Sequence, residues 1–424
     1  MILKFLCQRS LFVTPVFPKF KHPHLLQSLR FSGIIRDEYF HGIFQQPAVN
    51  HLHQLQMNHS SLSMLEATSL QGYVFEALEF IEIMADFTYI FRNIDDSRIL
   101  TNVLSILRNQ FPSLRTCNVY IPYNAGREIE ITKTFFRFLH CVSRTLRCME
   151  MFYFFMLSDE MEEDLDETTT TDDVDDPELD EITQVASGSL RLEIAMLHMN
   201  IDHLRCFSYW TRLLSQQRQL EYLVVLSEHQ IFTPSLIRQI SNNLRIILVN
   251  IDTRGTDGRA TPLDCEIFQD CHHLSHFSIK GRFEDFILLF STPGLVNVNF
   301  LPMSITHIDL SRIPVRSNDL HRVLLYMENL RHFTAKFVGR HGEMGATMDT
   351  LREVILRRRL HWLHLVGSIN GEFPSGGLSN GHPSRPIALY MDEDAFCVKL
   401  NRTGYYGYAS AFEELQASVL GRNR

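Results

Sequence analysis

Leu220-Glu-Tyr-Leu223-Val-Val225 is followed by Leu244-Arg-Ile-Ile247-Leu-Val249, with Thr233-Pro234-Ser-Leu236-Ile237 between them. The two hexapeptides share one phrase, L-x-x-L-x-L, with other apolar residues tolerated at the anchors. Its alternating end suits a strand with one buried face. The segment between reads as helix. Thr233 is a capping residue type, Pro234 suits the first helical position, and Leu236, Ile237 and Ile240 share a face. A strand, a helix and a second strand in so short a stretch call for a parallel pair joined by a crossover.

The phrase recurs in both directions. Towards the N-terminus it reads Leu26-Gln-Ser-Leu29-Arg-Phe31, Leu52-His-Gln-Leu55-Gln-Met57, Phe75-Glu-Ala-Leu78-Glu-Phe80, Leu114-Arg-Thr-Cys117-Asn-Val119, Leu146-Arg-Cys-Met149-Glu-Met151 and Leu204-Arg-Cys-Phe207-Ser-Tyr209. Towards the C-terminus it reads Leu274-Ser-His-Phe277-Ser-Ile279, Ile305-Thr-His-Ile308-Asp-Leu310, Leu330-Arg-His-Phe333-Thr-Ala335 and Leu360-His-Trp-Leu363-His-Leu365. Amphipathic stretches stand between many of them, for example Ile99, Leu100, Val103, Leu104 and Leu107, or Phe135, Phe136, Leu139 and Val142. Units of this size cannot bury an apolar face alone and are stabilised by stacking on their neighbours.

On these phrases, and on the L-R/E-x-Φ-x-Φ form after a helix as in Phe111-Pro-Ser-Leu114-Arg, the chain resembles the leucine-rich repeat family over about residues 25–366. It is most similar to the irregular repeats of F-box-type receptor proteins. The resemblance implies an α/β solenoid, a horseshoe with a parallel concave sheet and helices on the convex side. It also implies a non-enzymatic role in protein recognition, as a substrate-recognition component of a cullin-type ubiquitin ligase. The alternative is a regulatory scaffold or inhibitor that binds its partner through the concave sheet. No Leu-Pro-x-Glu phrase of an F-box is present, and no unit carries the family's Asn or Cys at the ninth position.

Charge divides the chain. The formal net charge is −9, but residues 159–181 hold 14 of the 49 acidic residues and no Lys or Arg, leaving 35 acidic against 40 basic residues elsewhere. The expected organisation is a basic and apolar N-terminal segment over 1–24, disordered, then repeats over 25–157 and an acidic disordered insert over 158–187. Repeats over 188–366 and a C-terminal cap over 367–424 complete it. The insert is read as a solvated loop or as an electrostatic arm, with Thr169 and Thr170 as candidate phosphorylation sites because each has Asp three positions on. A mildly basic body without a dense basic stripe does not predict a nucleic-acid partner. No apolar run is long enough to span a bilayer. Eight scattered cysteines fit reduced thiols in the cytoplasm or nucleus; an N-terminal segment with several basic residues and no acid leaves a mitochondrial transit peptide as the alternative.

Catalytic signatures are missing from the sequence: no Walker loop, no G-x-G-x-x-G after a strand, no H-E-x-x-H and no G-x-S-x-G. No enzyme, cofactor or small-molecule substrate is therefore expected. Cys265 and Cys271-His272-His273-x-x-His276 are too irregularly spaced for a zinc site. The expected partner surface is the set of strand residues facing away from the core. It comprises Trp210, Tyr222, His276, Lys280, His307, Asp309, His332, Lys336, Trp362 and His364.

Overall fold

The computed structural model describes residues 2–6, 26–32, 42, 44–45, 47–58, 73–84, 96–123, 128–155, 175–200, 206–227, 234–252, 268–282, 301–338, 349, 353, 360–368, 387–391 and 395–401. The chain divides into two compact units, Met1–Leu220 and Glu221–Arg424. Both are α/β.

In unit 1, seven described strands pair in parallel, each with the next: β1 (Ile2–Leu6), β2 (Ser28–Ser32), β3 (Gln54–Asn58), β4 (Phe80–Met84), β5 (Thr116–Tyr123), β6 (Cys148–Phe155) and β7 (Ile194–Asn200). The register sets Ile2 beside Ser28, Ser28 beside Gln54 and Gln54 beside Phe80, equal steps along the chain. Helices α1 (Asp96–Leu107), α2 (Glu128–Val142) and α3 (Pro177–Ser189) form the crossovers into β5, β6 and β7, and α4 (Phe207–Ser215) follows β7. In unit 2, β8 (Tyr222–Ser227), β9 (Ile246–Asp252), β10 (His276–Arg282), β11 (His307–Arg316), β12 (His332–Val338) and β13 (Trp362–Ser368) pair in parallel. The hairpin of β14 (Ile387–Met391) and β15 (Ala395–Asn401) adds antiparallel to β13. Helices α5 (Pro234–Ile240) and α6 (Ser317–Tyr326) lead into β9 and β12.

The phrase explains the strands. Its first anchor lies just before the strand and its fourth and sixth positions point inward, so Leu52, Leu55 and Met57, or Leu114, Cys117 and Val119, are buried in rows. Just before β2 to β6 and β8 to β11, the preceding residue supplies a carbonyl that accepts two backbone N–H groups from the next unit. Glu79 O takes Arg115 N and Thr116 N at 2.9 Å each; Arg115 O takes Arg147 N and Cys148 N at 2.9 Å each. In unit 2, Arg245 O takes Ser275 N at 2.8 Å and His276 N at 3.0 Å. This column closes the backbone accounting where each chain segment turns into the sheet.

Four expectations are corrected. Phe75-Glu-Ala-Leu78-Glu-Phe80 is out of phase: Leu78, Ile81 and Ile83 are the inward anchors, paired with the row of Leu55 and Met57, and Phe80 opens the strand on the other face. Leu204-Arg-Cys-Phe207-Ser-Tyr209 is not a strand. Its last residues open α4, because Tyr209, Trp210, Leu213 and Leu214 form one buried helical face. The strand belonging to that unit is β7, which carries the phrase Leu192-Glu-Ile-Ala195-Met-Leu197. Residues 158–187 are not wholly disordered, since Pro177 onward is α3, capped by Asp176 Oδ1 accepting Leu179 N–H at 2.9 Å. Ion pairs hold that helix: Lys133 to Asp176 at 2.8 Å and to Glu178 at 2.7 Å, Arg137 to Glu178, and Arg212 to Asp180. Lastly, residues 1–24 include β1. The rest of the acidic segment through residue 174, with Thr169 and Thr170, lies outside the described residues.

Candidate functional site

The strand face opposite the core is where side chains escape the requirements of packing, and the two units use it differently. In unit 1 the fifth phrase position forms a polar row, with Gln56 beside Glu82, Glu82 beside Asn118 and Asn118 beside Glu150. All four are half-buried. Gln56 Nε2 donates to Glu82 Oε2 at 2.6 Å. Burial and the Glu150 carboxylate raise Glu82 above the ordinary range, against the lowering pull of Arg30 and of the Gln56 bond. The Tyr120 phenol, on the same strand as Asn118, is pushed up to about 12 by burial and by the Glu82 and Glu150 carboxylates. The Asn118 side-chain oxygen is buried with no hydrogen-bond partner. None of these residues stood out in the sequence. The only signal was their position in the phrase.

In unit 2 the third phrase position of three successive units is histidine. The register sets His276 beside His307 and His307 beside His332. Their rings stack, with centroids 3.9 Å apart at 10° and 4.0 Å apart at 14°, and His361 meets His332 edge-on at 6.1 Å. The hydroxyl of the preceding residue orients two of the rings. Ser275 Oγ lies 2.8 Å from His276 Nδ1 and 3.1 Å from Arg245 O; Thr306 Oγ1 lies 2.7 Å from His307 Nδ1 and 3.1 Å from Ser275 O. A hydroxyl has one proton. Both contacts are satisfied only if it donates to the carbonyl and accepts from Nδ1–H, which assigns the lone pair to Nε2 in both rings. Burial, then the ring of His332, holds His276 down to about 4. Burial, then His361, does the same for His332, and burial with His276, His332 and His361 takes His307 to about 2.

The predicted partner surface is therefore redistributed. Trp210 belongs to the core: it is 1% exposed on α4, with its ring 4.7 Å from Phe136 and 6.0 Å from Phe135 on α2. Tyr222, His276 and Asp309 are on strands as expected but buried, not exposed. His307, His332 and His364 are half-buried on β11, β12 and β13. Lys280, Lys336 and Trp362 fall on β10, β12 and β13, and their side chains lie outside the described residues. Ser278, next to Asp309 in register, is fully buried and its Oγ makes no hydrogen bond. Serine, histidine and aspartate thus meet here without the nucleophile-to-base contact that activates a hydroxyl. Among the described residues, no three His, Cys, Asp or Glu side chains converge as metal ligands. Compared with known protein families and with curated proteins, the chain matches none. No helix among the described residues is long and apolar enough to cross a membrane.

Proposed function

We propose that the chain is a non-enzymatic, protein-binding solenoid of the leucine-rich-repeat type, whose partner lies on the sheet face opposite the core. The polar row Gln56–Glu82–Asn118–Glu150 carries this reading. Parallel strands space such a row by about 4.8 Å per residue, a fixed grid of donors and acceptors on a rigid sheet. Tyr120 beside it has the amphipathic ring that anchors protein interfaces. The narrower form, substrate selection for a cullin-type ubiquitin ligase, rests on the resemblance to F-box-type repeats. The scaffold with an acidic arm is less favoured, because Asp176, Glu178 and Asp180 are already engaged by Lys133, Arg137 and Arg212.

The test is affinity capture with the tagged full chain, comparing wild type, Glu82→Lys, Asn118→Arg and, as a control on an exposed helix position, Glu130→Lys. A partner of the face is recovered by wild type and Glu130→Lys and reduced at least about tenfold by the two face variants, the loss of roughly one hot-spot contact. Equal recovery by all four defeats the reading. A cullin adaptor among the face-dependent partners supports the ligase form, and its absence leaves the scaffold.

A further inference from the structure

The histidine stack is built into the sheet and not merely laid on it. Each Nδ1–H of His276 and His307 reaches a hydroxyl that in turn donates to a carbonyl of the inter-strand column. Ser275 O receives Thr306 N at 2.9 Å and His307 N at 3.0 Å besides the Thr306 hydroxyl. Ring position and strand junction are thus one hydrogen-bonded assembly. Nε2, the remaining basic atom, is where a proton adds. Charging neighbouring rings puts like charges about 4 Å apart, where repulsion is strong even under partial screening. His307, flanked on both sides, cannot share charge with either neighbour while the stack is closed.

We propose that the His276–His307–His332 stack is an acid-operated latch of unit 2, closed while its rings are neutral and parting the starts of β10, β11 and β12 when they take up protons. On the strands packed against it, the other titratable or charged side chains among the described residues are Asp309, His361, His364, and Arg245 and Arg331 at the strand entries. β9 presents Ile246 to His276. With these groups alongside, the closed rings remain poorly basic. An opened, solvated ring protonates near its ordinary value of about 6.5. The closed rings resist to about 4, 2 and 4. The latch is therefore fully favoured above about 6.5 and loses ground steadily as pH falls from there towards 4. Between about pH 7 and about pH 5, each ring that opens shifts the equilibrium roughly twentyfold.

Hydrogen–deuterium exchange on the full chain tests this, with labelling times scaled for the intrinsic exchange rate at about pH 7 and about pH 5. Peptides covering β10 to β12 should lose at least about twentyfold in protection relative to those covering β5 and β6, the factor for one ring. Equal change in both sets overturns the latch. His307→Phe keeps an aromatic in the stack without a titrating nitrogen, and should shrink the excess loss by about one ring's factor. An unchanged loss in that variant also overturns it. Should the variant not fold, NMR titration of the wild-type chain labelled at histidine Cε1 decides. Three resonances with midpoints below about 5 support the latch, and midpoints all near 6.5 refute it.

Discussion

Trp210 gives a sharp test of how unit 1 is packed. Its indole is almost wholly buried against Phe135 and Phe136, and its Nε1–H has no hydrogen-bond partner. Two terms of opposite sign therefore meet in one side chain. Truncation to Ala removes the ring and leaves a cavity, which costs about 3–5 kcal/mol. Replacement by Phe removes roughly 40 Å² of apolar surface, worth about 1 kcal/mol at the usual area coefficient. It also removes the unpaired N–H, whose burial costs about 1–3 kcal/mol. Trp210→Phe should thus fall between neutral and about 2 kcal/mol more stable, while Trp210→Ala is strongly destabilised. The assay is urea unfolding followed by far-ultraviolet circular dichroism, since the substitution leaves Trp362 as the only tryptophan. If Phe loses nearly as much as Ala, packing outweighs the unsatisfied donor and the account of this site is wrong.

Other expectations follow from single contacts. Lys133→Met removes the ammonium that, with the Leu179 N–H, holds Asp176 below the usual carboxylate range. That depressed carboxyl stabilises α3 above its unfolded value near 3.8, and its contribution is lost as pH falls through the lower folded value. The variant should cost at most about 1 kcal/mol and flatten the acid-induced loss of α3 amide protection; an unaltered acid profile counts against the pairing. Leu78→Ala should cost about 2–5 kcal/mol and Phe80→Ala much less, because Leu78 is an inward anchor and Phe80 is half-buried on the other face. The reverse order, in thermal unfolding, restores the phase that places Phe80 in the core. Of Cys117, Cys141, Cys148, Cys206 and Cys271, only Cys141 is exposed, and it should be alkylated first of these five under native conditions. Burial pushes Cys148 and Cys271 up to about 12 and Cys117 higher still, so peptide mapping that finds Cys117 modified as fast contradicts the core assignment.

Most strands were legible because their anchors are large and alternate. Where the anchors are weak, the pattern alone does not place the strand. Ala195 holds the central inward place in β7, and an alanine there carries almost no signal. Nearby, Leu204, Phe207 and Tyr209 satisfy the phrase while Phe207 and Trp210 have helical spacing, and packing of Trp210 on α2 decides for the helix. Phe75 misled for a related reason. It is itself buried, in a row of rings with Phe44 and Phe111, and so mimics a strand anchor although it lies before Leu78. Once Leu78 is taken as the anchor, β1 to β4 fall on an even spacing. In the acidic segment, composition does not reveal that Asp176 caps a helix whose buried face includes Leu179, Thr183 and Ala186.

The outward positions were legible as positions and not as chemistry. A phrase with period two says which residues leave the core. It says nothing of what the neighbouring strand brings alongside, and both sites arise from that second fact. His276, His307 and His332 stand in three separate units, and one histidine per unit looks like composition until the register stacks them. Glu82 and Glu150 are far apart in the chain, and the Glu150 carboxylate reaches Glu82 only because the register sets both beside Asn118 on β5. In a parallel array each outward column is one phrase position sampled at every step, so a property repeated over three steps becomes collective. That is why the three stacked histidines resist protonation as a group, each ring disfavoured as a cation by burial first and then by other histidines of the cluster.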